Sequence, residues 1–227
     1  MAFREKEHYD ARDLMEIVAL LRDPEQGCPW DKVQTHQTIR MNFLEETCEV
    51  LEAIDLEDDH LMCEELGDIM MQVALHSQMA AEAGSFTFDE VCDGVCKKLI
   101  YRHPHIFGDA EAPTGANSWD ALKNREKGRT TLEQDLASVP ATLPALMRAA
   151  KTQKRAARWG IGPDRRETAQ TAVDAAMAAL PGAEDAETAL GDALLALTDL
   201  ARQCGVDPEL ALVKATRRFA EQAARQN

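Results

Sequence analysis

Between Met41 and Cys96 the chain carries 15 Asp or Glu residues and not one Lys or Arg. Carboxylates at that density repel one another. A fold that gathers several of them needs proton uptake, cations from elsewhere in the chain, or a bound metal ion. A solvated acidic face is the plainer alternative, and the spacing of the acids is what bears on the choice.

Helical periodicity runs through this block and beyond it. The apolar pattern and its punctuation predict helices over about 10–21, 37–56, 61–83, 87–101, 118–129, 145–159, 166–180, 186–204 and 208–225. Thr87 or Asp89 and Ser118 are the expected caps, and Gly84 is an expected stop. Residues 25–31, 103–118 and 137–144 carry Pro and Gly and read as loops or linker. No strand alternation is present, so the fold class expected is all-α.

The second helix carries Glu45, Glu46 and Glu49, and the third carries Glu65 and Asp68. Residues three or four apart share a helix face. The expected core stripe of the second helix is Phe43, Thr47, Val50, Leu51 and Ile54, which sets Glu46 about 80° from its centre, at the rim. The short connection makes the two helices antiparallel neighbours and brings the carboxylate pairs face to face. Four oxygen donors from two helices form a site for a hard cation, Mg²⁺ with Mn²⁺ as a possible substitute. A ferritin-like di-iron centre would need two Glu-x-x-His motifs, and the acidic block offers one, Glu57 to His60, at an expected turn.

The compensating cations come afterwards, in Lys97, Lys98, Arg102, Lys123, Arg125, Lys127 and Arg129, and again in Arg148, Lys151, Lys154, Arg155 and Arg158. Such patches could hold a small anion such as a phosphate chain. A net charge of −15 disfavours nucleic acid as a partner. The longest uncharged run, Ile69–Ala81, has 13 residues and does not span a bilayer, and the charge-dense N-terminus does not read as a secretory signal, so a cytoplasmic protein is expected. Six cysteines without a Cys-x-x-Cys pair are expected to be reduced and mostly buried. No phosphate-binding Gly loop, His-Glu-x-x-His or Gly-x-Ser-x-Gly is present.

The chain also repeats weakly. Leu66-Gly67-Asp68 returns as Leu190-Gly191-Asp192, and the segment from Phe88 to Leu99 has a counterpart from Asp207 to Phe219.

Taken together, Gly27-Cys28-Pro29-Trp30-Asp31, Gln34-Thr35, Leu44 to Val50, Glu65 to Asp68, Arg102 to Phe107, and Ser118-Trp119 with Lys123 resemble the MazG family of nucleoside triphosphate pyrophosphohydrolases. The resemblance is closest over residues 10–160. It implies an all-α fold, Mg²⁺ dependence, a homodimer, and hydrolysis of (deoxy)nucleoside triphosphates to monophosphate and pyrophosphate, in nucleotide-pool control or house-cleaning. A non-catalytic nucleotide-binding or regulatory module is the alternative. By motif, Glu46, Glu49, Glu65 and Asp68 resemble the metal ligands, with Glu45 supporting and Glu45 or Glu49 as proton acceptor. Lys98, Arg102 and Lys123 are candidate phosphate contacts, and Trp30 and Trp119 could stack on the base. The family's tandem modules suggest a catalytic domain over 1–136 and a second module over 137–227. Counting back from Asp192, the positions matching the other ligands are Gln170, Val173 and Ala189, so the second module is expected to be degenerate.

Overall fold

The computed structural model describes residues 5–108 and 118–226, and the side chains of these apart from 118–121. Among the described residues every regular element is helical, and packing divides the chain into two compact units, 1–112 and 113–227.

Unit 1 contains α1 (Ala11–Leu21), α2 (Arg40–Leu56), α3 (Asp59–Glu82), α4 (Phe88–Arg102) and the one-turn α5 (Pro104–Phe107). The starts are written in the side chains. Asp10 accepts from the Arg12 and Asp13 amides and Asp13 reciprocates at the Asp10 amide, while Thr87 and Glu90 form the same box at α4. The long helix α3 packs against α1, α2 and α4. Val18, Ile39, Ala74, Leu75 and Met79 make the buried core, with Leu14, Met15 and Met71 against it.

The α2–α3 hairpin turns in two residues. Glu57 takes the left-handed conformation (φ 55°, ψ 35°), and Asp58 caps α3 by accepting from the His60 and Leu61 amides. The face that α2 turns inward matches the expected stripe at Phe43, Thr47 and Val50 but not at Leu51 and Ile54. Leu51 and Ile54 are 59% and 51% exposed, whereas Ala53 is fully buried and Phe43, Glu46, Thr47 and Val50 are half-buried. The helix has two apolar rows, and the one that includes the smaller Ala53 lies nearer its neighbours.

The loop between α1 and α2 is clamped by Arg22, which is 8% exposed. Its guanidinium donates to both Glu82 carboxylate oxygens, at 3.0 and 2.8 Å, and to the carbonyls of Asp31 and Gln34 at 2.7 and 3.2 Å. That contact holds the Glu82 carboxyl below its usual range. Gly27 is required there, because a Cβ would sit against the carbonyl oxygens of Asp23 and Leu21.

Unit 2 contains α6 (Ser118–Glu126), α7 (Leu132–Ala137), α8 (Ala145–Arg158), α9 (Arg166–Ala179), α10 (Ala186–Gln203) and α11 (Pro208–Ala224). A second hairpin, α9–α10, lies on α8, with Ala169, Val173 and Ala193 buried. Asp135 of α7 is wholly buried and meets Arg158 at 2.9 Å and the Trp159 indole N–H at 3.3 Å. The short α5 and α7 were not expected from sequence. Pro104 suits a first helical position, and Thr131 caps α7. Of the expected 103–118 loop, residues 109–117 lie outside the described residues.

The expected module boundary at 136/137 concerns repetition in the sequence rather than packing, and it remains a proposal. The cysteines require a correction: Cys48, Cys63, Cys92, Cys96 and Cys204 are exposed and Cys28 is half-buried, all as free thiols. Cys48, Cys63, Cys92 and Cys96 lie on helix faces that the unit's own core does not cover, Cys28 lies in the α1–α2 loop, and Cys204 follows the last residue of α10. No helix among the described residues is long and apolar enough to cross a membrane.

Candidate active site

The tight α2–α3 turn brings the acids of the two helices together. Glu46 and Glu49 of α2 and Glu65 of α3 each place a carboxylate oxygen within 4.8 Å of the others. Asp68, one turn beyond Glu65, is close enough for its charge to act on both Glu46 and Glu65. Glu45 is exposed on the neighbouring position of α2 and is not one of the three that meet.

The electrostatics carry the mark of this crowding. Burial is the largest influence raising the Glu46 carboxyl above its ordinary value, followed by the charges of Asp68 and Glu49 and a hydrogen bond shared with Glu49. A hydrogen bond with Gln72 works the other way. The Glu65 carboxyl is also pushed up, by burial first and then by the charges of Glu49 and Asp68. Each group is easier to protonate because its charged form is desolvated among like charges.

Gln72 was missed by sequence reasoning. It lies seven residues after Glu65, on the same face of α3, is 3% exposed, and its Oε1 is buried without a hydrogen-bond partner among the described residues. An all-oxygen donor set, an excess of negative charge and an unsatisfied buried carbonyl fit a hard divalent cation.

The same face continues to His76, two turns beyond Asp68 and about 12 Å along the helix. His76 stacks on His36 and lies 5.9 Å from the Phe43 ring. The signal for both residues was present: His76 follows Glu65 by eleven positions, a whole number of turns to within about 20°.

The expected substrate contacts are distributed as follows. Lys98 and Arg102 are half-buried on α4, which packs on α3. Trp30 is 56% exposed in the loop clamped by Arg22. Lys123 belongs to unit 2, on α6, and the Trp119 side chain lies outside the described residues. In α9 and α10, Gln170 is exposed and donates to Asp174, Val173 is buried, and Ala189 is half-buried. Among the described residues, unit 2 has no cluster like that of Glu46, Glu49 and Glu65.

Comparison with known proteins agrees with this geometry. Residues 34–107 match the model of the MazG nucleotide pyrophosphohydrolase domain, a span that contains all of α2, α3 and α4. The chain is 42% identical over 218 residues to the nucleoside triphosphate pyrophosphohydrolase of Escherichia coli, covering 91% of this chain and 82% of that protein. It is 38% identical to the nucleoside triphosphate pyrophosphohydrolase/pyrophosphatase MazG of Thermotoga maritima, covering 92% and 82%. A nucleoside triphosphate pyrophosphohydrolase of Mycobacterium tuberculosis is 34% identical over 65% of this chain and 46% of its own length.

Proposed function

Because the chain belongs to the MazG nucleotide pyrophosphohydrolase family, we propose that it hydrolyses (deoxy)nucleoside triphosphates to the monophosphate and pyrophosphate at the α2–α3 carboxylate cluster. The observation that carries this reading is the meeting of Glu46, Glu49 and Glu65 oxygens from two helices within 4.8 Å. Three negative groups cannot receive a triphosphate unaided. Glu46, Glu49, Glu65 and Asp68 are the residues that would hold Mg²⁺, which when bound supplies charge neutralisation and acidifies water.

The chain's own residues do the rest. Glu49, or Glu45 beside it, accepts the proton of the water that attacks the α-phosphorus, and pyrophosphate leaves. Lys98 and Arg102 of α4 bind phosphoryl oxygens, and Trp30 stacks on the base. Gln72 steadies Glu46 in the seam.

The reading extends to assembly. Leu44 and Leu51 on α2, Leu66 and Met70 on α3, and Val95 and Leu99 on α4 are all 44% exposed or more, at helical spacings. Uncovered apolar rows of this kind support a homodimer. The 137–227 module is read as degenerate and non-catalytic, and the protein as cytoplasmic, acting in nucleotide-pool control or house-cleaning.

The test is to incubate the protein with each (deoxy)nucleoside triphosphate and Mg²⁺ and to identify products. Monophosphate with pyrophosphate is expected; diphosphate with phosphate, or no turnover, would overturn the reading.

A further inference from the structure

The face of α3 that carries the acids does not end with them. Glu65, Asp68, Gln72 and His76 follow one another at three- and four-residue spacing and share that face. The acids meet a triphosphate at its phosphoryl end, so the nucleoside needs other partners. His76 lies about 12 Å along the helix from Asp68, far enough for a nucleotide to reach from its α-phosphate to the polar edge of its base.

His76 is joined there to His36, which belongs to the same α1–α2 loop as Trp30. The two Nδ1 atoms are 2.7 Å apart and the ring planes differ by 1°. A bond between two ring nitrogens needs a proton on one and a lone pair on the other, and a neutral imidazole carries a single N–H. With both rings neutral, the pair is locked in opposite tautomers: the donating ring has a bare Nε2, and the accepting ring has a protonated one. The two Nε2 atoms point away from the contact, one as acceptor and the other as donor.

The fold uses neither of them. Among the described residues, the mutual bond is the one hydrogen bond that either imidazole makes. His36 is exposed, and the Nε2 of half-buried His76 lacks a partner without being buried, so both edges are open to a ligand. Burial and the charge of His36 favour the neutral ring at His76, and Phe43 of α2 backs that ring at 5.9 Å.

The two roles can also exchange. When the shared proton crosses to the other Nδ1 and the outer proton passes through water from one Nε2 to the other, donor and acceptor change places with no net gain or loss of protons. Adenine and uracil carry a donor beside an acceptor on their pairing edges in opposite order, and the pair can match either.

We propose that the His36–His76 pair binds the nucleobase of the substrate through its two Nε2 atoms. The proposal rests on the hydrolase reading of the α2–α3 cluster for the place of the phosphates. Trp30, on the same loop as His36, supplies the stacking surface and the histidines supply the polar contacts.

The test measures binding rather than turnover. The full chain with Mg²⁺ is titrated by calorimetry with the α,β-methylene triphosphates of adenosine and uridine, which cannot release pyrophosphate, and with inorganic tripolyphosphate, which has no base. His36→Phe and His76→Phe each keep a flat ring and remove its nitrogens, and circular dichroism checks their helicity. Each should weaken both nucleotides by about tenfold or more and leave tripolyphosphate within about twofold. Unchanged nucleotide affinity in both variants would overturn the proposal, leaving the pair as a pin between the loop and α3. Loss of tripolyphosphate affinity in step with that of the nucleotides would overturn it as well, because the pair would then act through the shape of the acid cluster. Nucleotide affinity lost in both variants, in a protein whose product assay yields no pyrophosphate, would uphold the base contact while the hydrolase reading fell.

Discussion

The imidazoles of His36 and His76 lie parallel, with ring centroids 5.0 Å apart and their Nδ1 atoms 2.7 Å from one another. One Nδ1 must donate and the other accept, so the contact exists only while at least one ring is neutral. Burial, and then the charge of His36, holds the His76 pKa below its ordinary 6.5. The pair fastens the segment before α2 to α3, on the helix face that carries the acids.

A histidine whose folded pKa is depressed contributes stability that is present above pH 6.5 and is lost as pH falls through the lower folded value. The difference in melting temperature between wild type and His76→Gln should therefore be largest near pH 7.5 and shrink toward pH 5. A difference that is constant across that range would remove the pair as a source of acid sensitivity.

The acids respond in the opposite sense. Glu46 and Glu65 have raised pKa values, so their contribution is fully present below 4.5 and is lost as pH rises through the folded values. Without divalent ions, Glu46→Gln should gain stability over wild type as pH climbs from 4.5 to 7.5, because one repelling charge has gone. Adding Mg²⁺ should raise the melting temperature of wild type more than that of the variant. The same substitution should lower turnover on the order of 10²–10³-fold, the scale of losing one fixed electrostatic stabiliser of the transition state. Thermal scans at two pH values with and without Mg²⁺, beside product assays, check all three effects.

Helix positions and the pairing of α2 with α3 were legible in the sequence, because caps and a two-residue turn are local chemistry. Thr87 caps α4 as expected, whereas Asp58 caps an α3 that starts at Asp59, two residues ahead of the expected position. The face of α2 was legible only in part, at Phe43, Thr47 and Val50 but not at Leu51 and Ile54. Its two apolar rows read alike, and only the packed α3 selects the row that buries Ala53 and draws Glu46 into the seam. Gln72 and His76 fall in an uncharged run that reads as plain core, and their relation to Glu65 emerges only when the spacing is carried two and three turns past that residue. The cysteines were expected to be mostly buried and five of the six are exposed, since periodicity finds an apolar row without saying what covers it. The six-residue α7 is too short for periodicity to register.

Glu57 is the one described non-glycine residue with positive φ, and it makes the turn that sets Glu49 against Glu65. A side chain in the left-handed region costs about 1 kcal/mol relative to glycine. Glu57→Gly should accordingly raise unfolding stability by about that amount and leave turnover within about twofold, because the turn keeps its geometry. Urea denaturation and steady-state assays test this. A loss of activity would mean that the Glu57 carboxylate has a part in the site.

Arg22 offers the sharpest separation of fold from chemistry. Its guanidinium joins α1, Glu82 of α3 and the carbonyls of Asp31 and Gln34, so it fixes the loop that carries Trp30 without coming from the acid cluster itself. Arg22→Met keeps the apolar stem and removes the donors, leaving two carbonyls and a carboxylate to find water. The cost should be about 2–3 kcal/mol in unfolding stability. If Trp30 stacks on the base, the released loop should also raise KM, while kcat, set by the carboxylates, should stay within about threefold. Gly27→Ala strains the same loop from within, because its Cβ meets the Leu21 and Asp23 carbonyls, and it should shift KM in the same direction. A fall in kcat with KM unchanged, in either variant, would separate this loop from the base and assign it to positioning α3.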